Sequence, residues 1–281
     1  MPKKKKQSAL EKYLMPKKGV FSQEFLILVV TMVIGIIVAG QIFSAGGPPQ
    51  HDDHGTKKFH AKKADKPTGL PKNVPVNVWN GTATPVDVPP GLPPVIERVP
   101  TTQPIVFVTI DDGWEQTPEN INWLTARRLP FSIFLTNEGI KSNYQYYYSL
   151  QSAGMTVQNH TLSHHSLPKM TPEEQKTEIC GASDIYQDVF KHRPTLFRPP
   201  YGEYSDVTRQ MVGECGMKAV VMWKATIEDG AIQYQDPSAR LVPGDIILAH
   251  FEPGLTASLE ALSQQLAAQG LQVARLEDWI K

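Results

Sequence analysis

The chain has 281 residues, a formal net charge of zero and 41% hydrophobic residues. That length holds one core of about 150 to 200 residues plus appendages. Residues 1–99 carry 14 Lys/Arg against 7 Asp/Glu and residues 100–281 carry 14 against 21, so the C-terminal part is acidic, which argues against a nucleic-acid partner.

Residues 1–24 are a basic cytoplasmic tail beginning MPKKKK, and residues 25–45 are an apolar run whose only polar side chains are Thr31, Gln41 and Ser44. About 20 such residues span a bilayer as a helix. The expectation is an uncleaved single-pass anchor in the cell membrane, N-terminus inside. Both the basic stretch and the apolar core exceed those of a secretory leader, whose core runs to about 7 to 15 residues. The alternative is a cleaved leader, given the small residues Ser44, Ala45, Gly46 and Gly47. Lys57, Lys58, Lys62, Lys63 and Lys66 beyond the run blunt the orientation signal. On either reading the C-terminal domain is extracellular.

Residues 46–102 are rich in Pro, Lys and His and show no sustained hydrophobic period. They read as an extended, mostly disordered spacer. His51, Asp52, Asp53, His54 and His60 lie in it and read as solvated linker rather than a metal tract. Residues 103–281 alternate short apolar runs with amphipathic segments, the pattern of a parallel α/β domain. Strands are expected at 105–110, 132–135, 156–158, 195–197, 219–222, 246–249 and 271–273. A helix is expected from Thr171, which can cap it, with Pro172 in the first turn and Glu174 completing a capping box. Another is expected over 256–268, where Leu259, Leu262 and Leu266 recur at three- and four-residue spacing. Cys180 and Cys215 lie in this domain, as one disulfide or as two buried thiols.

Reactive residue types fall at the carboxyl ends of these strands, where parallel α/β sheets and barrels present their sites. Asp111 and Asp112 follow the first strand, His160 and His164 the third, Arg198 the fourth, Trp223 the fifth and His250 the sixth. In "HTLSH" the four-residue spacing lets both imidazoles face one centre, and a carboxylate from another strand completes a two-His, one-carboxylate metal site. His165 and His192 read as structural. A cation beside one aspartate overcomes repulsion within the pair, and an arginine beside the other holds it ionised. One aspartate then binds metal while its neighbour stays free as a base.

Residues 103–281 resemble the polysaccharide deacetylases, metal-dependent carbohydrate esterases that include chitin, peptidoglycan and nodulation-factor deacetylases. The resemblance rests on "TIDDG", "HTLSH", "RPPYG" and "IILAH" in that order. It implies a distorted, incomplete (β/α) barrel of about seven parallel strands. It also implies Asp111 as catalytic base, Asp112, His160 and His164 as metal ligands, and Arg198 as the group orienting Asp111. The Tyr201 N–H would face the oxyanion, Leu248 would line the acetyl pocket, and His250 would be the catalytic acid. The fourth motif departs from the family pattern. The chain reads "WKATIEDG", in which Trp223, expected on the substrate side of the site, and Asp229 match while Thr226 and Gly230 replace an aspartate and a tryptophan. Asp229 is expected to partner His250 and raise its pKa, and Gly230 removes an aromatic wall from the groove.

The implied reaction is hydrolysis of N-acetyl groups on an N-acetylhexosamine polymer of the cell envelope, with Zn²⁺ as the expected metal. Three other readings compete: an O-acetyl esterase acting on xylan, a silent glycan-binding relative, and a non-haem Fe(II) oxygenase. The last has no need of a paired aspartate, an arginine-oriented base and a distant histidine acid.

Overall fold

A computed structural model describes residues 76–88, 90–236 and 239–281. The span expected over 25–45 lies outside the described residues, and among these no helix is long and apolar enough to cross a membrane. The strands are β1 (Val95–Ile96), β2 (Ile105–Asp112), β3 (Ser132–Leu135), β4 (Thr156–Asn159), β5 (Leu196–Phe197), β6 (Ala219–Val221), β7 (Ala225–Glu228), β8 (Ala231–Tyr234), β9 (Ile246–His250) and β10 (Gln272–Val273). The helices are α1 (Pro118–Arg127), α2 (Asn137–Ile140), α3 (Tyr144–Ser152), α4 (Pro172–Phe190), α5 (Asp206–Glu214) and α6 (Leu255–Ala268). One sheet runs β1-β6-β5-β4-β3-β2-β9-β7-β8, with β10 paired to the start of β2. All pairings within it are parallel except β7 with β8.

β2 is central, and its side chains divide between two cores. Val106, Val108 and Ile110 pack with Leu124, Leu150, Leu259 and Leu262 of the helices. Ile105 and Phe107 pack with Phe134, Leu196, Ile246 and Trp279. This is the period-two alternation of a strand buried on both faces, and it explains why β2 reads as a nearly unbroken apolar run.

All seven expected strand segments are strands, with ends shifted by no more than two residues, and the capping box at the head of α4 is present. Two features depart from the sequence reading, and a third selects between alternatives it left open. First, the spacer expected to reach residue 102 ends earlier, because residues from 76 onward pair with the domain. Trp79 N–H donates to Val273 O (2.8 Å), Val86 N–H to Trp279 O (2.9 Å), and β1 pairs with β6. The apolar side chains of Trp79, Val86 and Val88 cover the second core, which compensates for ordering this stretch. Second, the segment read as a site motif is the β7–β8 hairpin. Asp229 and Gly230 form its two-residue turn with φ of 50° and 75°, the positive pair that an Asp-Gly turn accepts. Third, Cys180 of α4 and Cys215 at the end of α5 are joined as a disulfide.

Candidate active site

Asp111 and Asp112 are adjacent, so an uninterrupted strand would aim them at opposite faces. Asp111 continues the interior row through Phe107 and Thr109 and is 2% exposed. Asp112 would face the helices, but its backbone has φ 75°. This left-handed turn, stabilised from behind by Thr136 N–H donating to Asp112 O (3.0 Å), swings the second carboxylate to the same mouth as the first.

The "HTLSH" loop is held from several sides. Asn159 Oδ1 accepts from Thr161 N–H (2.9 Å), and Thr161 Oγ1 accepts from His164 N–H (3.0 Å). Glu178 of α4 accepts from Leu162 N–H, Ser163 N–H and Ser163 Oγ at 2.8 to 3.0 Å. Thr161 and His164 also have positive φ, 74° and 60°; for a β-branched threonine this conformation needs support of that kind. Glu178 escaped the sequence reading because, sixteen residues away on a helix, its only signal was a carboxylate without an evident partner.

Three donor atoms converge as a result. Asp112 Oδ1 is 3.3 Å from His160 Nε2 and 3.2 Å from His164 Nε2, and the two Nε2 atoms are 3.1 Å apart. Ligands bound about 2.0 to 2.2 Å from a tetrahedral Zn²⁺ stand ~3.3 Å from one another, so the triangle fits such an ion. His160 Nδ1 lies 2.7 Å from Arg198 O. A carbonyl only accepts, so Nδ1 carries the proton and the neutral ring turns its Nε2 lone pair to the centre. Burial opposes charge on His160, but Asp111 and Asp112 outweigh it and raise its pKa above the usual histidine value. Burial likewise opposes charge on Asp112, but hydrogen bonds with His160 and His164 hold its carboxyl well below the usual range. The field at this point favours positive charge, whether a proton or a cation supplies it.

Arg198 is fully buried. Its Nη1 donates to Asp111 Oδ1 and Thr109 Oγ1 (both 2.7 Å), its Nε to Val221 O (3.0 Å) and its Nη2 to Met222 O (3.3 Å). The guanidinium lies 4.4 Å from the Phe134 ring centre and 5.5 Å from that of Trp223. Trp223 therefore backs the arginine. Asp111 Oδ2 is left 3.8 Å from His160 Nε2, beyond a direct hydrogen bond.

His250 ends β9 in register with Asp111, and Leu248, two residues earlier, pairs with Thr109 and is buried. Tyr201 has φ 60°, its ring packs edge-on against His164 at 4.8 Å, and its N–H has no backbone partner among the described residues. A cavity of about 430 Å³ is lined by Asp112, Trp114, Glu228, His250 and Glu252, among others. Burial raises the pKa of Glu252, His250 opposes the rise, and Glu228, Asp229 and Asp112 add to it. Asp229 is exposed at the hairpin tip and makes neither hydrogen bond nor ion pair with His250. The structure thus brings together Asp111, Asp112, His160, His164 and Arg198, sets Tyr201 and His250 at the rim, and leaves Asp229 outside.

Residues 98–220 match the polysaccharide deacetylase family model. An uncharacterised protein of Streptomyces coelicolor is 39% identical over 194 residues, 67% of this chain and 78% of that one. A peptidoglycan-N-acetylglucosamine deacetylase of Bacillus cereus is 28% identical over 61% of this chain, which spans 66% of that protein. The solved structure of a family 4 carbohydrate esterase from Streptomyces lividans in complex with acetate aligns with a TM-score of 0.53 and 26% identity, covering 61% of this chain and 92% of that one.

Proposed function

The chain belongs to the polysaccharide deacetylase family, and from that premise we propose that it removes N-acetyl groups from an N-acetylhexosamine polymer of the cell envelope, with peptidoglycan as the leading substrate. The class of reaction, hydrolysis of an acetyl amide on a polysaccharide, comes with the family. The observation that carries the residue assignment is the 3.1 to 3.3 Å triangle of donors beside a second carboxylate gripped by a buried arginine.

Asp112, His160 and His164 would hold a divalent cation, with Zn²⁺ suiting the donor set, which when bound would supply Lewis acidity toward the acetyl carbonyl and the attacking water. Asp111, held in place by the Arg198 Nη1 hydrogen bond to its Oδ1, takes a proton from that water. The Tyr201 N–H donates to the oxyanion that develops on the acetyl oxygen, a contribution of about 3 to 4 kcal/mol per donor in comparable sites. His250 gives its proton to the departing amine, and acetate leaves. Leu248, buried two residues before His250, suits the acetyl methyl. His250 shares its cavity with Glu228 and Glu252, so the support for Asp229 as its partner is weaker than the motif implied.

The Cys180–Cys215 bridge supports a domain working outside the cytoplasm, where disulfides persist. The envelope is the substrate within reach there. The test incubates the full chain, with and without added Zn²⁺, on peptidoglycan, chitooligosaccharides and acetylxylan and measures acetate. Release from the amide substrates supports the proposal. Release from acetylxylan alone selects the ester reading, and no release from any selects a silent glycan-binding protein.

A further inference from the structure

We infer that Trp114 is the platform on which the sugar ring bearing the acetyl group rests, and hence a specificity-determining residue; the inference rests on the deacetylase reading. Trp114 directly follows the Asp-Asp-Gly turn of β2 and is 49% exposed, the one exposed tryptophan among the described residues. It lines the cavity that holds Asp112 and His250. One face of its ring is supported. A Cβ built on Gly139 would come within 3.2 Å of the indole Cδ2 and Cε3 atoms, so the ring lies against a residue with no side chain.

The loop is fixed on both sides of Trp114. Gln116 Nε2 donates to Gly113 O (3.2 Å) and Gly139 O (2.9 Å), Tyr147 Oη donates to Gly113 O (2.6 Å), and Glu115 N–H donates to Phe251 O (3.2 Å). The last bond ties the Trp114 loop to the strand end that carries His250. An aromatic face held this way needs little ordering on binding. Its electron-rich surface attracts the weakly positive C–H groups on one face of a pyranose ring. Glu115, Glu228 and Glu252 on the same cavity offer acceptors for ring hydroxyls and disfavour an acidic sugar. The chemistry fits a neutral hexosamine unit. Gly230, turned toward α6 with Ser258 Oγ accepting from its N–H at 3.2 Å, supplies no competing ring.

The test measures acetate release from chitotetraose by the wild-type chain, Trp114→Ala and Trp114→Phe. The Ala variant is expected to raise KM about tenfold, the discrimination one apolar contact carries, with kcat within about twofold. Phe is expected to restore most of the loss. Metal content and melting temperature should match wild type. Chitotetraose affinity is measured by calorimetry on an Asp111→Asn background, where turnover is suppressed, and should weaken by the same factor. An unchanged KM and affinity in the Ala variant, or a fall confined to kcat, overturns the inference. A wild-type chain that releases no acetate yet loses glycan affinity with Trp114→Ala sinks the enzyme reading and keeps the platform. No measurable glycan affinity in the wild-type background sinks the platform.

Discussion

Replacing Arg198 by leucine should be among the most damaging single changes in the domain, and a partner mutation should relieve part of the damage. Arg198 and Asp111 are 0% and 2% exposed and joined at 2.7 Å. Removing one member of such a pair leaves the other charged in a poorly solvated site, at a cost of about 3 to 5 kcal/mol. His160 Nε2, 3.8 Å from Asp111 Oδ2, is too distant to replace the guanidinium. Asp111→Asn alone keeps an oxygen that accepts from Nη1 and should cost about 1 to 3 kcal/mol. The double variant no longer buries a lone charge, so its loss should fall short of the sum by about 1 to 3 kcal/mol. Urea unfolding followed by circular dichroism, at fixed metal concentration, gives all four corners of the cycle. Activity should respond differently. Each single variant should lose about 10²- to 10⁴-fold in kcat with the base gone or left unsupported, and the double variant should recover none of it. Arg198→Lys should not rescue, since an ammonium cannot meet Thr109, Asp111, Val221 and Met222 together. A loss below about 1 kcal/mol for Arg198→Leu, or strict additivity, would refute the claim that the pair is a single buried unit.

Three further outcomes follow from the same geometry. In the metal-free protein the folded pKa of His160 is raised above its ordinary 6.5, so the stability from its charge is full below about pH 6.5 and is lost as pH rises through the folded value; thermal melts with chelator should fall over that window, and added Zn²⁺ should reverse the fall. Glu178→Ala removes three hydrogen bonds to the "HTLSH" loop and should weaken Zn²⁺ affinity about 10- to 100-fold in a competition titration, an effect that Glu178→Gln, which retains an acceptor, should partly restore. The disulfide closes a 35-residue separation, and chain entropy assigns it about 4 kcal/mol; the Cys180→Ser, Cys215→Ser double variant should show that loss in denaturant unfolding, while reductant should affect only the wild type.

The sequence made the site legible where local chemistry and strand position agreed. Asp111, Asp112, His160, His164, Arg198 and His250 all stand at strand ends or just after them, so apolar runs followed by reactive residues located them. The capping box of α4 was legible because Thr171 and Glu174 act on their own backbone within one turn. What stayed hidden depended on distant partners. Val86 and Val88 sit among prolines, and nothing local indicates that they pair with the backbone of Trp279 and Lys281, some 190 residues later. The β7–β8 turn is the opposite case, because an Asp-Gly dipeptide between two apolar segments is a strong local hairpin signal, and it puts Asp229 at an exposed hairpin tip.

The positive-φ residues explain why so short a set of motifs can build this centre. Among the described residues, seven non-glycine positions have positive φ, and Asp112, Thr161, His164 and Tyr201 are four of them. Each costs of order 1 to 3 kcal/mol relative to an ordinary conformation, and each performs a different redirection. At Asp112 it brings two successive carboxylates to one mouth. At Thr161 and His164 it curls five residues so that imidazoles four apart meet one carboxylate oxygen, and at Tyr201 it accompanies a backbone N–H left without a backbone partner. A regular strand could not do the first, because alternation separates neighbours, and a regular helix could not do the last, because helical bonding consumes the amides. The strain is offset by surroundings fixed before any ligand arrives: Thr136 behind Asp112, Glu178 and Asn159 around the histidine loop, and Arg198 bonded to three strands. The convergence of donors within 3.1 to 3.3 Å is thus built into the folded chain itself, and relaxing any one of these turns should cost metal affinity before it costs the fold.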